Sequence, residues 1–399
     1  MDRRLALLCL VPTLLTLPLQ AGPREQADRL HSRITGVPAS ASMLDRLASM
    51  ISQGQAEAAA TIAIEQPEFY SVTLKRLFTP WTNEEQTVFA PLNDYSATLI
   101  GTVRDEHDFR EILYADRLYI GKTQTGLPAY SINNNLHYEQ LEASGLVLRD
   151  ELMEVPQSSL TGLPTDATAG IMTTRAAAKA YFIGGTNRAM LRFVFLNHLC
   201  QDMEQMKDST RSADRIRQDV SRSPGGDSRL FLNNCLACHA GMDPLAQAYA
   251  YYDYRYDEDN DPEGISGRLV YNRPGQTDPD TGTRVQSKYH INADTFKFGY
   301  VTPDDHWDNY WRQGKNAIVG WSEALPGSGE GAASMGMELS HSRYFASCQA
   351  THAFKAMCLR EPETQEDQSR LQDIIDRLES NQFNYKQAFV DSALYCMGE

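Results

Sequence analysis

Cys235-Leu236-Ala237-Cys238-His239 is a C-x-x-C-H motif. At this spacing two thiols one helical turn apart can each form a thioether to a haem vinyl group while the adjacent imidazole reaches the iron. Haem attached in this way becomes part of the fold. With 7 Cys and 9 His in 399 residues, composition alone yields about 0.003 such motifs. A zinc site would need a second ligand pair nearby and a redox dithiol a βαβ setting. The sequence offers neither.

The amino terminus supports the same reading independently. Arg3 and Arg4 precede an apolar run from Leu5 to Leu19, and Leu19-Gln20-Ala21 offers a small residue for cleavage before Gly22. Residues 1–21 therefore read as a secretory signal peptide. The run is shorter than a membrane span and is broken by Pro12 and Pro18, which argues against a retained helix, and Cys9 after Leu8 is a poor lipid-attachment context. No later stretch approaches the ~18 apolar residues of a span. The expected location is bacterial and periplasmic or secreted, the side of the membrane on which families with this motif acquire their haem.

Six cysteines remain after cleavage, and two belong to the haem motif. Cys200, Cys348, Cys358 and Cys396 are an even number in an oxidising compartment, which predicts two disulfides. Cys348 and Cys358 are expected on one helix, where ten residues at ~1.5 Å each place them ~15 Å apart, too far to pair. The preferred connectivity joins Cys358 to Cys396 across a carboxy-terminal helical hairpin and Cys200 to Cys348; the swapped pairing stays open. The chain carries 37 basic and 52 acidic residues, a net −15, and loss of Asp2, Arg3 and Arg4 makes it −16. Such a surface does not favour nucleic acid or anionic membrane. It fits a cationic redox partner protein, and equally plain solubility.

The pattern is mainly α, in modules of 22–165, 166–300 and 301–399: a helical amino-terminal module, a cytochrome c-like haem module with a small β-hairpin, and disulfide-tied carboxy-terminal helices. Helices are expected from Arg24 to about Thr79, with Met43, Leu44, Leu47, Met50 and Ile51 at helical spacing, and Thr79-Pro80 as a stop. Ile132 to Tyr138, with Asn133, Asn134 and Asn135, reads as loop, and Gln157 to Thr168 as a module boundary. A helix is expected from Leu191 to Met206. Leu269-Val270-Tyr271 and Thr283 to Ile291 flank the turn Asp278-Pro279-Asp280-Thr281-Gly282 and suggest a β-hairpin. The remainder is expected as helices over Trp307 to Gln313, Met335 to Leu359, Thr364 to Ser380 and Gln382 to Met397.

Cys235 to His239 continues into Ala240-Gly241-Met242-Asp243-Pro244-Leu245, then Tyr249 and Tyr252-Asp253. This run resembles the secreted, single-haem cytochrome c-like proteins of planctomycetes and some proteobacteria, in which C-x-x-C-H precedes a Met/Ile-Asp-Pro-Leu element and an aromatic-Asp pair. Asp108-Phe109-Arg110-Glu111-Ile112-Leu113-Tyr114-Ala115-Asp116 is similar to their "D-x-R-E-L-L-x-A-D" stretch. Gly170-Ile171-Met172-Thr173-Thr174, Arg188 and the helix to Cys200 resemble the segment before the haem, and Ser342 to Pro362 the closing "F-A-x-C" helix. The likeness is patchy over roughly residues 95 to 365 and departs in lacking a second, distant haem motif and in its Asn133 to Asn135 insertion. It implies one covalent haem c and export, and names no substrate.

Within this reading Cys235 and Cys238 hold the haem and His239 is the proximal ligand. Met242 is too near His239 to reach the opposite face, so it is expected to pack under the haem, with Pro244 ending the helix. The distal ligand separates electron transfer from chemistry at an open iron. Candidates are Met335, Met337 and His290, then Met172 and His341; Met337, His341, Tyr344 and Cys348 lie on one helical face at i, i+4, i+7 and i+11, which is expected to be buried, with core packing the alternative for Met337. Arg188 and Arg192 are candidates for the propionates, with ordinary ion pairing the alternative. Asp257, Asp259 and Asp261 open like a Ca²⁺ loop, but Pro262 and Arg268 stand where Gly and Glu are needed, which favours an acidic turn. The expected function is single-electron transfer by an exported monohaem c-type cytochrome. The alternatives are a haem-dependent oxidoreductase with an open or displaceable distal site, and a binding protein with a structural haem.

Overall fold

Residues 21–122 and 126–398 are described in the computed structural model, so the signal-peptide reading lies outside the described residues except at Ala21. Local sequence sets the first helix ends. Pro23 opens α1 (Pro23–Thr35), and Gly36 closes it with φ 77° and an N–H donated to Ser32 O. Ser40 caps α2 (Ala41–Ser52) by accepting from Met43 N, and the Ala-rich stretch forms α3 (Ala56–Ile64). A π-turn at Phe69–Leu74 leads into α4 (Lys75–Phe78). A capping box of Asn93 and Ser96 then starts α5 (Asp94–Arg104), which is buried from Asp94 to Val103.

β1 (Leu118–Gly121) pairs antiparallel with β2 (Leu152–Val155), Tyr119 opposite Glu154, and α6 (Leu136–Ala143) and α7 (Leu148–Glu151) lie between them in the chain. The expected loop around Asn133 thus ends early: Asn134 Oδ1 accepts from Leu136 N at 3.1 Å and starts α6. After α8 (Gln157–Thr161) and α9 (Arg175–Tyr181), α10 (Arg188–Val194) runs on as a π-turn to Leu199. Cys200 has φ 54°, so the single helix expected to Met206 is broken before α11 (Met203–Met206). α12 (Ser228–Leu230) and α13 (Leu236–Ala246) carry the chain through the motif.

The hairpin has a different partner from the one expected. β4 (Arg268–Tyr271) pairs with β3 (Tyr252–Arg255), Tyr252 opposite Tyr271, rather than with Thr283 to Ile291. Tyr252 and Tyr254 alternate inward, whereas the Asp278 turn closes on itself: Asp278 N donates to Thr283 O and its carboxylate accepts from Asp280 N and Ser287 N. Trp307 to Gln313 is likewise not helical. It holds β5 (His306–Asp308), paired with β6 (Ser328–Glu330), and a 3₁₀ turn at Tyr310–Arg312 fixed by Asn309, whose side chain accepts from Trp311 N and whose N–H reaches Gly327 O.

Met335 to Leu359 is two helices, α14 (Gly331–Ser340) and α15 (Arg343–Cys358). Ser342 is extended (φ −83°, ψ 152°), and its Oγ accepts from Phe345 N and donates to Leu339 O. Met337, His341, Tyr344 and Cys348 therefore form no continuous buried face: Met337 is 36% exposed while Met335 is fully enclosed. α16 (Gln365–Ser380) and α17 (Tyr385–Cys396) complete the chain. Cys348 and Cys358 do share α15, and the preferred pairs are the disulfides observed, Cys200–Cys348 and Cys358–Cys396, with Cα atoms 5.3 and 5.4 Å apart.

The fold is mainly helical, with small two-stranded sheets. The amino-terminal helices α1 and α3 pack on α17, and Lys386 reaches back to Glu65 at 2.9 Å and Glu106 at 3.2 Å. One apolar core is continuous from Leu30 through Leu99, Ile171, Leu245 and Trp311 to Phe345 and Phe389. Among the described residues no helix is long and apolar enough to cross a membrane.

Candidate functional site

Asp227 starts the approach to the motif by accepting from Arg229 N, and a π-turn at Phe231–Cys235 runs straight into α13. On a helical course Cys235, Cys238, His239 and Met242 fall at i, i+3, i+4 and i+7, a single stripe. Other faces of α13 are sealed. Gly241 lies so close to Trp311 that a Cβ would sit 2.2 Å from the indole ring, and Ala237, Ala240 and Leu245 are buried. The helix does not end at Pro244 as expected; it continues to Ala246 and then as a 3₁₀ turn at Gln247–Tyr249. Proline's φ is helical, and only one N–H is lost in a stretch held by packing on both sides.

Cys235 and Cys238 are half-buried and not joined to each other. Cys238 Sγ donates to Met203 O at 3.6 Å, and burial raises its thiol pKa above the ordinary value. Cys235 and Leu236 pack on a small apolar cluster of Ile216, Val220, Phe231 and Ala240, whereas Lys207, Glu204 and Asp202 carry charge close to Cys238. Arg222 lies over the Phe231 ring at 4.9 Å.

His239 has two unlike ring nitrogens. Nδ1 is 3.1 Å from Asp243 Oδ1, one helical turn on, while Nε2 has no hydrogen-bond partner among the described residues. The side chain of His239 is 21% exposed and that of Asp243 fully buried. Asp243 also receives the Arg188 fork, Nε on Oδ1 at 2.6 Å and a terminal nitrogen on Oδ2 at 2.9 Å, and Arg217 N on Oδ2 at 3.1 Å. Burial alone would raise the Asp243 pKa, but Arg188 and Arg217 hold it well below the carboxylate range. Arg188 bonds Asp219 as well, which Arg188 in turn holds below its ordinary value against the cost of burial. Arg217 is enclosed beneath the Tyr289 ring at 4.8 Å and donates to Thr186.

The other sequence candidates stand elsewhere. Arg188 is committed to Asp243 and Asp219, and Arg192 to Asp202 at 2.7–2.8 Å, the ion-pair alternative in both cases. Met242 is buried on the motif stripe and joins the main core. Met172 accepts from Tyr249 OH at 3.1 Å and lies under Gly336 of α14. Met335 is core, and Met337 lines a cavity with Tyr114, Trp307, Leu325 and Pro326 that contains none of the motif residues. His290 Nε2 faces Thr302 O at 3.5 Å, and His341 stays by its own helix, Nδ1 2.9 Å from Met337 O. In the acidic turn Asp257 accepts from Asn260, and Asp261 from Ile265 N and Ser266 N.

Sequence reasoning missed Asp243 as the partner of His239, although the i, i+4 spacing on a helix was the available signal. Arg217 and Asp219 come from a polar stretch with no such signature, and only the tertiary fold brings them in. The donor set suits a covalently held haem: unbridged half-buried thiols one turn apart, an imidazole anchored at Nδ1 and open at Nε2, and an apolar cluster packed against Cys235 and Leu236. No protein-family model matches the chain, and no curated protein or solved structure matches it either.

Proposed function

We propose that this chain is an exported monohaem c-type cytochrome of the kind its motif region resembles, carrying one haem c on Cys235 and Cys238 with His239 as proximal ligand, and that it passes single electrons to a partner protein. The observation that carries this reading is the pair of unbridged thiols in register with an imidazole whose Nε2 alone is open, in a chain whose other four described cysteines are all bridged. When bound, the haem supplies a one-electron couple. The protein's part is to hold His239 in one orientation, to shield one side through Met242 and the Phe231 cluster, and to keep the thiols apart from each other. The two disulfides fit an oxidising compartment, and the acidic balance fits a cationic partner. Expression with a haem-attachment system should give a covalent haem band on a denaturing gel and a c-type reduced-minus-oxidised spectrum. Absence of the covalent band sinks the proposal.

A second reading, an oxidoreductase with an open distal position, is favoured by one observation: Met335, Met337 and His290 all have other surroundings. Rapid CO binding by the ferrous protein supports it, and a CO-inert ferrous state returns the choice to electron transfer.

A further inference from the structure

The group behind His239 is more elaborate than anchoring a ring requires. Asp243 has four acceptor sites and all four are taken: Arg188 Nε and His239 Nδ1 on Oδ1, a terminal Arg188 nitrogen and Arg217 N on Oδ2. Because the carboxylate is ionised and can only accept, His239 must present Nδ1–H to it, which leaves Nε2 as the lone-pair nitrogen. Two arginines, Arg188 and Arg217, face two carboxylates, Asp219 and Asp243, so the buried quartet is neutral as a unit, with Asp243 side chain fully enclosed and Arg217 2% exposed. A lone buried carboxylate would draw the Nδ1 proton strongly and make the imidazole a more anionic donor. Here its basicity is already spent on guanidinium and amide donors.

We infer that Asp243 is a positioning residue that fixes the tautomer and orientation of His239, and that the charge balance among Arg188, Arg217 and Asp219 sets how strongly the imidazole donates through Nε2. This rests on the haem reading above, since donor strength is read through the iron. Largely shielded from water, these charges act on the neighbouring ring more strongly than they would at the surface, so changing one charge without changing shape should move the reduction potential in a known direction.

The test is the reduction potential of the purified holoprotein, with covalent haem content measured alongside. Asp243→Asn removes the negative partner of Nδ1, weakens the donor, favours the ferrous state and should raise the potential. Asp219→Asn leaves Arg188 less neutralised against Asp243 and should raise it by less. Both shifts run opposite to the fall expected if a loosened site merely admitted water. Unchanged or lowered potentials with full haem content overturn the inference while leaving the haem reading intact. If Asp243→Asn fails to mature, Asp219→Asn decides alone, and an unchanged potential there overturns it. A wild-type chain with no covalent haem instead removes the haem reading, and this inference falls with it.

Discussion

At the scale of single residues, His239 and Gly241 illustrate two kinds of constraint on one helix. On the proposed haem reading, His239→Ala with Cys235 and Cys238 kept should cut covalent haem yield sharply, because the ring that would orient the cofactor is gone while the thiols remain. Haem staining of the exported protein measures this, and a wild-type yield and spectrum would mean that another group ligates the iron. Gly241→Ala should destabilise the fold by about 1–3 kcal/mol or more, since the added Cβ would meet the buried Trp311 indole 2.2 Å away; a denaturant titration with no shift in midpoint refutes that packing. The fixed spacing that covalent haem attachment would demand makes Cys235, Cys238 and His239 stand out in the sequence as candidates, and the fold sets them on one stripe of helix. Gly241 is not, because its partner lies some seventy residues on, and the same holds for Arg217 behind Asp243.

At the scale of elements, helical periodicity located the amino-terminal and carboxy-terminal helices, failed at Trp307 to Gln313, which holds β5 and a 3₁₀ turn, and was a poor guide to where helices break. No Gly or Pro interrupts Leu339 to Phe345, and what stops α14 is Ser342, whose hydroxyl offers a cap to α15 and a bond back to Leu339 O. Ser342→Ala should therefore cost about 1 kcal/mol of stability, with no change in helix content by circular dichroism beyond fraying. The cysteine pairing was legible in part: helix rise forbids the Cys348 to Cys358 link, and the choice between the two remaining connectivities is made only in the fold, which joins Cys200 to Cys348 and Cys358 to Cys396. The bridges close 148 and 38 residues of chain, for which restriction of the unfolded state gives roughly 5 and 4 kcal/mol as upper values. Replacing Cys358 and Cys396 together by Ser should remove much of the smaller figure, and unreduced peptide mapping should recover Cys200 with Cys348 still joined. Free thiols at those two positions in the native chain would contradict the arrangement.

Across the whole molecule, α15 joins the disulfides to a buried polar cluster that no local pattern announces, because its members come from residues 81 to 352. His198 is fully buried, its Nε2 2.9 Å from Tyr95 OH and its ring edge-on to Trp81; His352 lies tilted against the same indole, with Nε2 3.1 Å from Asn197 O. Burial pushes the His198 pKa down to about 3 and the His352 pKa down to about 4, from an ordinary 6.5. The unfolded chain therefore binds protons at these sites below pH 6.5 while the folded chain does not. The stability they contribute is complete above that pH and is lost as pH falls toward about 4, at up to about 1.4 kcal/mol per pH unit for each group. Asp305 works the other way. Burial, Glu330 and Asp304 push it up to about 6, so folding takes up its proton between that pH and 3.8 and opposes the loss. Unfolding free energy measured from pH 7 to 4 should fall with acid in the native chain. It should fall less steeply in His198→Gln or His352→Gln, and more steeply in Asp305→Asn. Identical slopes in all four proteins would show that these side chains are not held neutral in the fold.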